Sequence, residues 1–272
     1  MIGHPTARAP AHGIWISSVG ALLFAVSTAV TIVWCGSMSA TGGMEMPGGW
    51  TMSMAWMRMP GQTWLDAGAT FLGMWTVMMV AMMWPSLMPM LWRYRKTALG
   101  RNEVSTRKQL DSLTALVSGG YFFVWVLIGI AAFPLGIAVA EIEMRYATVA
   151  RAVPMTAGVL VMLAGALQFT AWKARQLECC RKARGCGLDL PISATSAWRH
   201  GVQLGLQCAA CCGTLMSVLL VIGMMDLRAM AAVTAAITLE RLAPAGQRVA
   251  HAIGVVILGA GLFMIGQALL DL

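Results

Sequence analysis

Long apolar runs alternate with short clusters of charge along the chain. The runs fall at about 14–35, 64–92, 112–140, 153–172, 200–225, 227–240 and 249–270, and each is almost free of charge inside. A helix needs about 20 apolar residues to cross the hydrocarbon layer, and a charged residue at a span centre costs about 2.5–3.5 kcal/mol on insertion scales. The pattern therefore predicts an all-α polytopic transmembrane bundle of about seven spans. The run at 227–240 is short and follows Asp226 closely, so six spans is the fallback count.

Composition agrees with this reading. Of 272 residues, 58% are hydrophobic and 11% are charged, against roughly 25% charged in a typical soluble domain. No interval between the runs is long enough to hold a soluble domain. Residues 1–272 read as a single transmembrane domain with one outer loop, 36–63, and two basic inner loops, 93–111 and 173–199. The first run exceeds the 7–15 apolar residues of a signal peptide, so it reads as a retained helix.

Charge then sets the orientation. Placing the N-terminus in the cytoplasm puts Arg8, Arg93, Arg95, Lys96, Arg101, Arg107, Lys108, Lys173, Arg175, Arg181, Lys182, Arg184, Arg199, Arg241 and Arg248 on the inside. Only Arg58, Arg145, Arg151 and Arg228 remain outside. Positive residues are retained in the cytoplasm, and the net charge of +8 is thereby explained by topology and anionic lipid, without nucleic acid. The partners this implies are the lipid bilayer and, beyond it, a membrane protein or a second copy of the chain.

The candidate chemistry is that of sulfur. There are 23 methionines. The outer loop carries Met44, Met46, Met52, Met54, Met57 and Met59 as three M-x-M pairs. Thioether sulfur is a soft ligand that selects Cu(I) among biological metals. Two readings fit the loop: capture of Cu(I), or an interfacial anchor in which Met, Trp50 and Trp56 dip into lipid. In the second run, Met74, Met78 and Met82 form one helical stripe that Met79 and Met83 broaden; packing alone also accounts for such a stripe. Pro85 and Pro89 are expected to kink its inner end.

The fifth run, His200 to Val218, holds Cys208, Cys211, Cys212 and Met216 beside a ridge formed by Gly201, Gly205, Ala209 and Gly213. Small residues at this spacing admit a close neighbouring helix. The thiols would lie roughly 12–18 Å from the inner end of the span, at the depth of Met78 to Met83. A thiolate and thioether site between the two helices would favour Cu(I); the alternative is that the cysteines act as small hydrophobes in packing. Cys179, Cys180 and Cys186 of the inner loop fit either a hand-off site or a basic interfacial loop. A structural disulfide among them is disfavoured in a reducing compartment.

Several segments together resemble a bacterial family of predicted metal-binding integral membrane proteins of unknown function, sometimes labelled copper chaperones. They are the Met-rich loop, W-T-V-M-M-V-A-M-M-W-P from Trp75 to Pro85, G-Y-x-x-x-W from Gly120 to Trp125, A-G-A-L-Q from Ala164 to Gln168, Lys173 to Arg181, G-x-x-x-G-L-Q-C-A-A-C-C from Gly201 to Cys212, L-M at Leu215-Met216, M-M-D from Met224 to Asp226, and Glu240. The family pattern implies a cysteine where this chain has Gln176, while Cys180 keeps a second. The resemblance implies a metal-associated protein of the bacterial inner membrane.

The expectation is therefore a multi-pass protein that captures Cu(I) on its outer loop and delivers or translocates it through Cys208, Cys211, Cys212, Met78 and Met82. Catalysis is not required by this reading. The rivals are an integral subunit of a copper-dependent oxidoreductase, drawing oxygen ligands from Glu45, Asp66, Glu141, Glu143 or Asp226, and a structural assembly subunit without metal. Four histidines, none at helical ligand spacing within a span, count against haem or di-iron chemistry.

Overall fold

A computed structural model describes residues 10–40, 43–46, 50–52, 56–58, 61–100, 106–182 and 193–270. The described residues form eight helices and one two-stranded hairpin. They are α1 (Pro10–Ala40), β1 (Met44–Glu45), β2 (Thr51–Met52), α2 (Trp64–Gly100), α3 (Arg107–Arg145), α4 (Ala147–Leu167), α5 (Ala171–Lys182), α6 (Ala194–Ile222), α7 (Leu227–Leu242) and α8 (Gly246–Leu270). Six of them, α1, α2, α3, α4, α6 and α8, are long and apolar enough to cross a membrane. The chain is a multi-pass, all-α membrane protein.

The sixth apolar run becomes α7, whose 16 residues span about 24 Å at 1.5 Å per residue, short of the roughly 30 Å hydrocarbon layer. Its ends nevertheless lie toward opposite faces of the bundle. Just before α7, Met225 Sδ sits 3.9 Å from Cys35 Sγ near the end of α1, on the methionine-rich face. At its other end Arg241 Nη1 reaches Ser86 Oγ, 2.9 Å away and well along α2 toward the basic face. Elsewhere the boundaries shift. The run at 153–172 forms a helix that begins earlier and stops at Leu167, and part of the inner loop 173–199 is the helix α5. The α2 helix continues through Pro85 and Pro89.

Two interfaces of small residues organise the bundle. A Cβ on Gly201 of α6 would overlap the Val117 backbone of α3, and one on Gly205 would come within 2.8 Å of the Tyr121 carbonyl. These contacts run in step along the two helices, so α3 and α6 are parallel. The expected ridge is not used to its end: a Cβ on Gly213 would meet nothing within 4 Å. A stripe at spacing four drifts by about 40° per step on a helix of 3.6 residues per turn, so three steps carry Gly213 off the contact. The second interface joins α4 to α8, where Gly158 faces Gly261 and Gly165 faces Gly254. The order of those pairs makes α4 and α8 antiparallel.

The hairpin β1–β2 pairs Met44 with Met52 and Glu45 with Thr51. It seats Met46 and Met52 in a small core with Ala140 near the end of α3 and Ala150 near the start of α4, beside Trp50, Trp56 and Met57. Trp50 Nε1 donates to the Ala150 carbonyl at 2.9 Å, which pins the loop to α4.

Candidate metal centre

The main core lies between α2, α3 and α6, and its centre is sulfur. Cys208, Cys211 and Cys212 are almost fully buried, as are Met78, Met79, Met82 and Met83. Helical spacing puts Cys208 and Cys212 one turn apart on the same face, with their Sγ atoms 3.8 Å from each other. Cys208 Sγ lies 3.9 Å from Met83 Sδ across the α2–α6 interface. Tyr121 of α3 donates its hydroxyl to Cys208 Sγ at 3.0 Å.

Met78, Met82 and Met216 are buried in the same core, but the thioether that meets Cys208 is that of Met83. Cys211 is buried beside Cys208 and Cys212 on the same helix, and its carbonyl accepts from Lys173 Nζ. Cys180 belongs to α5, and its thiol also donates to the Gln207 carbonyl at 3.1 Å. The nearby Cys211 thiol, together with burial, pushes the Cys180 thiol pKa above its ordinary value. The sulfur atoms of Met83, Cys208 and Cys212 thus meet at Cys208, with Cys211 and Cys180 buried beside them. Cys186 lies outside the described residues; Cys179 is exposed.

Charge enters the core from the basic side. Arg241 Nη1 is 3.0 Å from Cys208 Sγ and donates to Ser86 Oγ, and Nη2 lies 3.5 Å from Met90 Sδ. Lys173 Nζ pairs with Glu240 Oε2 at 2.8 Å, both side chains being essentially inaccessible. The same ammonium donates to the Cys211 carbonyl at 2.8 Å, and Gln168 donates to Glu240 Oε1 at 3.1 Å. This corrects the reading of Lys173 and Arg241 as loop charges on the cytoplasmic surface. Both are buried in the bundle because Glu240 and the sulfur atoms give them partners there. Removing one member of a buried pair costs about 3–5 kcal/mol, and ionisable groups kept inside a membrane bundle mark function by default.

The donor set fits a soft monovalent cation. With metal–sulfur bonds of about 2.3 Å, a trigonal site needs sulfur atoms about 4 Å apart. The Cys208–Cys212 and Cys208–Met83 separations of 3.8 and 3.9 Å supply two of its three edges. Two thiolates around one Cu(I) carry a net charge of −1, which the adjacent Arg241 guanidinium matches. Among the described residues, no three His, Cys, Asp or Glu side chains are grouped so as to hold a metal by themselves, so a site here needs the Met83 thioether beside Cys208 and Cys212.

The other expected residues divide. On the outer loop Met46 and Met52 are buried while Met44 is 41% exposed and Met57 is half-buried; Met54 and Met59 lie outside the described residues. Of the acids that an oxidoreductase site would draw on, Asp66 accepts from the Thr63 backbone and hydroxyl at the start of α2. Asp226 caps α7 through Arg228 N and Ala229 N. Both are thus committed to helix starts. Glu141 is exposed and Glu143 half-buried near the end of α3.

Met83, Cys180, Tyr121 and Arg241 are the site residues that spacing alone did not single out. Met83 was legible only as the edge of a stripe, and Cys180 only as part of a basic loop.

The fold and this core define a class: a polytopic helical membrane protein whose buried centre is built from thiols, a thioether and compensating basic groups. The chain belongs to the PpoB2 family, described as copper chaperone, whose model matches residues 72–264. That range contains every residue of the sulfur centre and ends within α8. No curated protein and no solved structure matches the chain.

Proposed function

We propose that this protein is a Cu(I)-binding protein of the bacterial inner membrane that takes the ion at its methionine-rich outer face and delivers or translocates it toward the basic face. The observation that carries the proposal is the convergence of Cys208, Cys212 and Met83 at separations suited to a soft cation, with Arg241 beside them. Copper is the cargo here, and no redox step is needed. Met44 and the half-buried Met57 are the described thioethers through which the loop would offer copper a first ligand. Met46 and Met52 hold the loop against α3 and α4. Cys211 and Cys180, buried beside this centre, would extend the sulfur path toward the basic side.

Elemental analysis of the protein purified in detergent tests the proposal. The wild-type chain is expected to retain copper in preference to zinc, since thioether and thiolate ligands together select Cu(I). Cys208→Ser combined with Cys212→Ser is expected to lose that copper while still inserting and folding, because serine is close in size. Copper per protein unchanged in the double variant would return these cysteines to a packing role.

A further inference from the structure

A cavity of about 100 Å³ lies between α2, α5 and α7 on the basic side of the sulfur centre. Among the described residues, its lining includes Ser86, Met90, Arg93, Cys180 and Arg241, and no acidic residue. Arg93 is exposed at its open side. Arg241 is 5% exposed and its Nε has no hydrogen-bond partner, although its Nη atoms hold Cys208, Ser86 and Met90. The nearest acid in sequence, Glu240, is taken by Lys173. Cys180 both lines the cavity and donates its thiol to the Gln207 carbonyl at 3.1 Å, next to Cys208 on α6.

We infer that this cavity is the docking site of a small carboxylate-bearing thiol, which removes Cu(I) from Cys180. The Arg241 charge is matched when copper sits on Cys208 and Cys212, so it is Arg93, with no carboxylate in the described lining, that repels a bare cation and attracts an anion. Arg is also the side chain best matched to a carboxylate, through its fork of parallel donors. A free cuprous ion therefore has no favourable way out past Arg93, whereas a copper–thiolate complex of negative charge does. The lining thiol of Cys180 and the thioether of Met90 suit the sulfur end of such a carrier better than they suit a phosphate or a lipid headgroup. Only the thiol-bearing end enters; the remainder extends past Arg93.

The transfer is a ligand exchange. The carrier sulfur forms a bond to copper as the copper–Cys180 bond breaks. The proton leaving the carrier thiol goes to the Cys180 sulfur, and copper stays Cu(I) throughout, so no oxidant or reductant is consumed. The copper half of this inference rests on the proposed function; the anion site does not.

Two measurements test it. In the first, copper-free protein in detergent is titrated with S-methylglutathione, which has the carboxylates but no free thiol, and binding is followed calorimetrically. Saturable binding that weakens in Arg93→Gln and persists in Arg93→Lys is expected. No binding, or displacement by inorganic phosphate at equal concentration, overturns the carboxylate site even if the protein binds copper. In the second, Cu(I)-loaded protein is mixed with glutathione, 2-mercaptoethanol or cysteamine at equal thiolate concentration, and the release rate per bound copper is measured. Glutathione is expected to act about tenfold faster than the uncharged thiol, the lower end of what a cleft of one charge sign contributes, and cysteamine slowest. The glutathione advantage is expected to vanish in Arg93→Gln and return in Arg93→Lys. Equal rates for all three thiols, or an advantage that survives Arg93→Gln, overturns the exit route. If the protein retains no copper at all, the proposed function fails, and the first measurement alone decides the anion site.

Discussion

Cys208 is the most heavily engaged side chain of the core. It is fully buried and is met by a tyrosine hydroxyl, a guanidinium, a second thiol and a thioether. A cysteine serving only as a small hydrophobe has no need of an arginine beside it, and burying that arginine is costly unless the charge is balanced. The thioether partner separates a ligand role from a packing role. Replacing Met83 by Leu keeps volume and hydrophobicity nearly constant but removes the sulfur. Met83→Leu is expected to weaken Cu(I) affinity by about tenfold, or about 1.4 kcal/mol. Met78→Leu and Met82→Leu, made on the same helix within two turns of Met83, are expected to weaken it less. Competition against a chromophoric Cu(I) chelator reads the affinities. Three equal effects would mean that the methionine face acts through packing as a whole.

Among the helices, glycine placement decides how closely α6 approaches α3. In a membrane the lipid tails are as apolar as the side chains they compete with, so association depends on close packing. Gly201 and Gly205 let the α6 backbone lie against Val117 and Tyr121, and this brings the Tyr121 hydroxyl to Cys208. Gly201→Ala is expected to destabilise the protein by about 1–3 kcal/mol, the usual cost of overpacking, because the obstacle is backbone and cannot move aside. Gly213→Ala is expected to be neutral or to stabilise by up to about 1 kcal/mol through helix propensity, since open space surrounds that position. Thermal unfolding in detergent compares the two. Equal tolerance at both positions would contradict the α3–α6 contact described here. The α5 helix contributes in a different way. It brings Lys173 to Glu240 and to the Cys211 carbonyl, and Cys180 to the Gln207 carbonyl, tying the end of α7 to the middle of α6.

At the scale of the whole molecule, the faces of the bundle differ in chemistry: a methionine-rich hairpin at one, clustered basic residues at the other. With native thiols replaced, a cysteine placed at Thr51 of the hairpin is expected to react with an impermeant maleimide added outside intact cells. One placed at Lys108 is expected to react only after the membrane is opened. The reverse pattern would invert the direction of copper movement proposed above.

Much of this architecture was legible in the linear pattern. Apolar runs long enough to cross a membrane can only become helices, because each backbone amide must find its partner within its own segment. The 3.6-residue period likewise groups Cys208, Cys212 and Met216 from spacing alone. Contacts between helices are another matter, since they depend on the rotation and depth of each helix against its neighbours, which no local period encodes. The sequence could not say that Met83 rather than Met78 or Met82 would meet Cys208, nor that α5 would return Cys180 to the core. Lys173 and Arg241 show the limit most clearly. By sequence they are basic residues near span ends, with a natural place in the cytoplasm, and only the arrival of Glu240 and the sulfur atoms from other helices makes their burial possible.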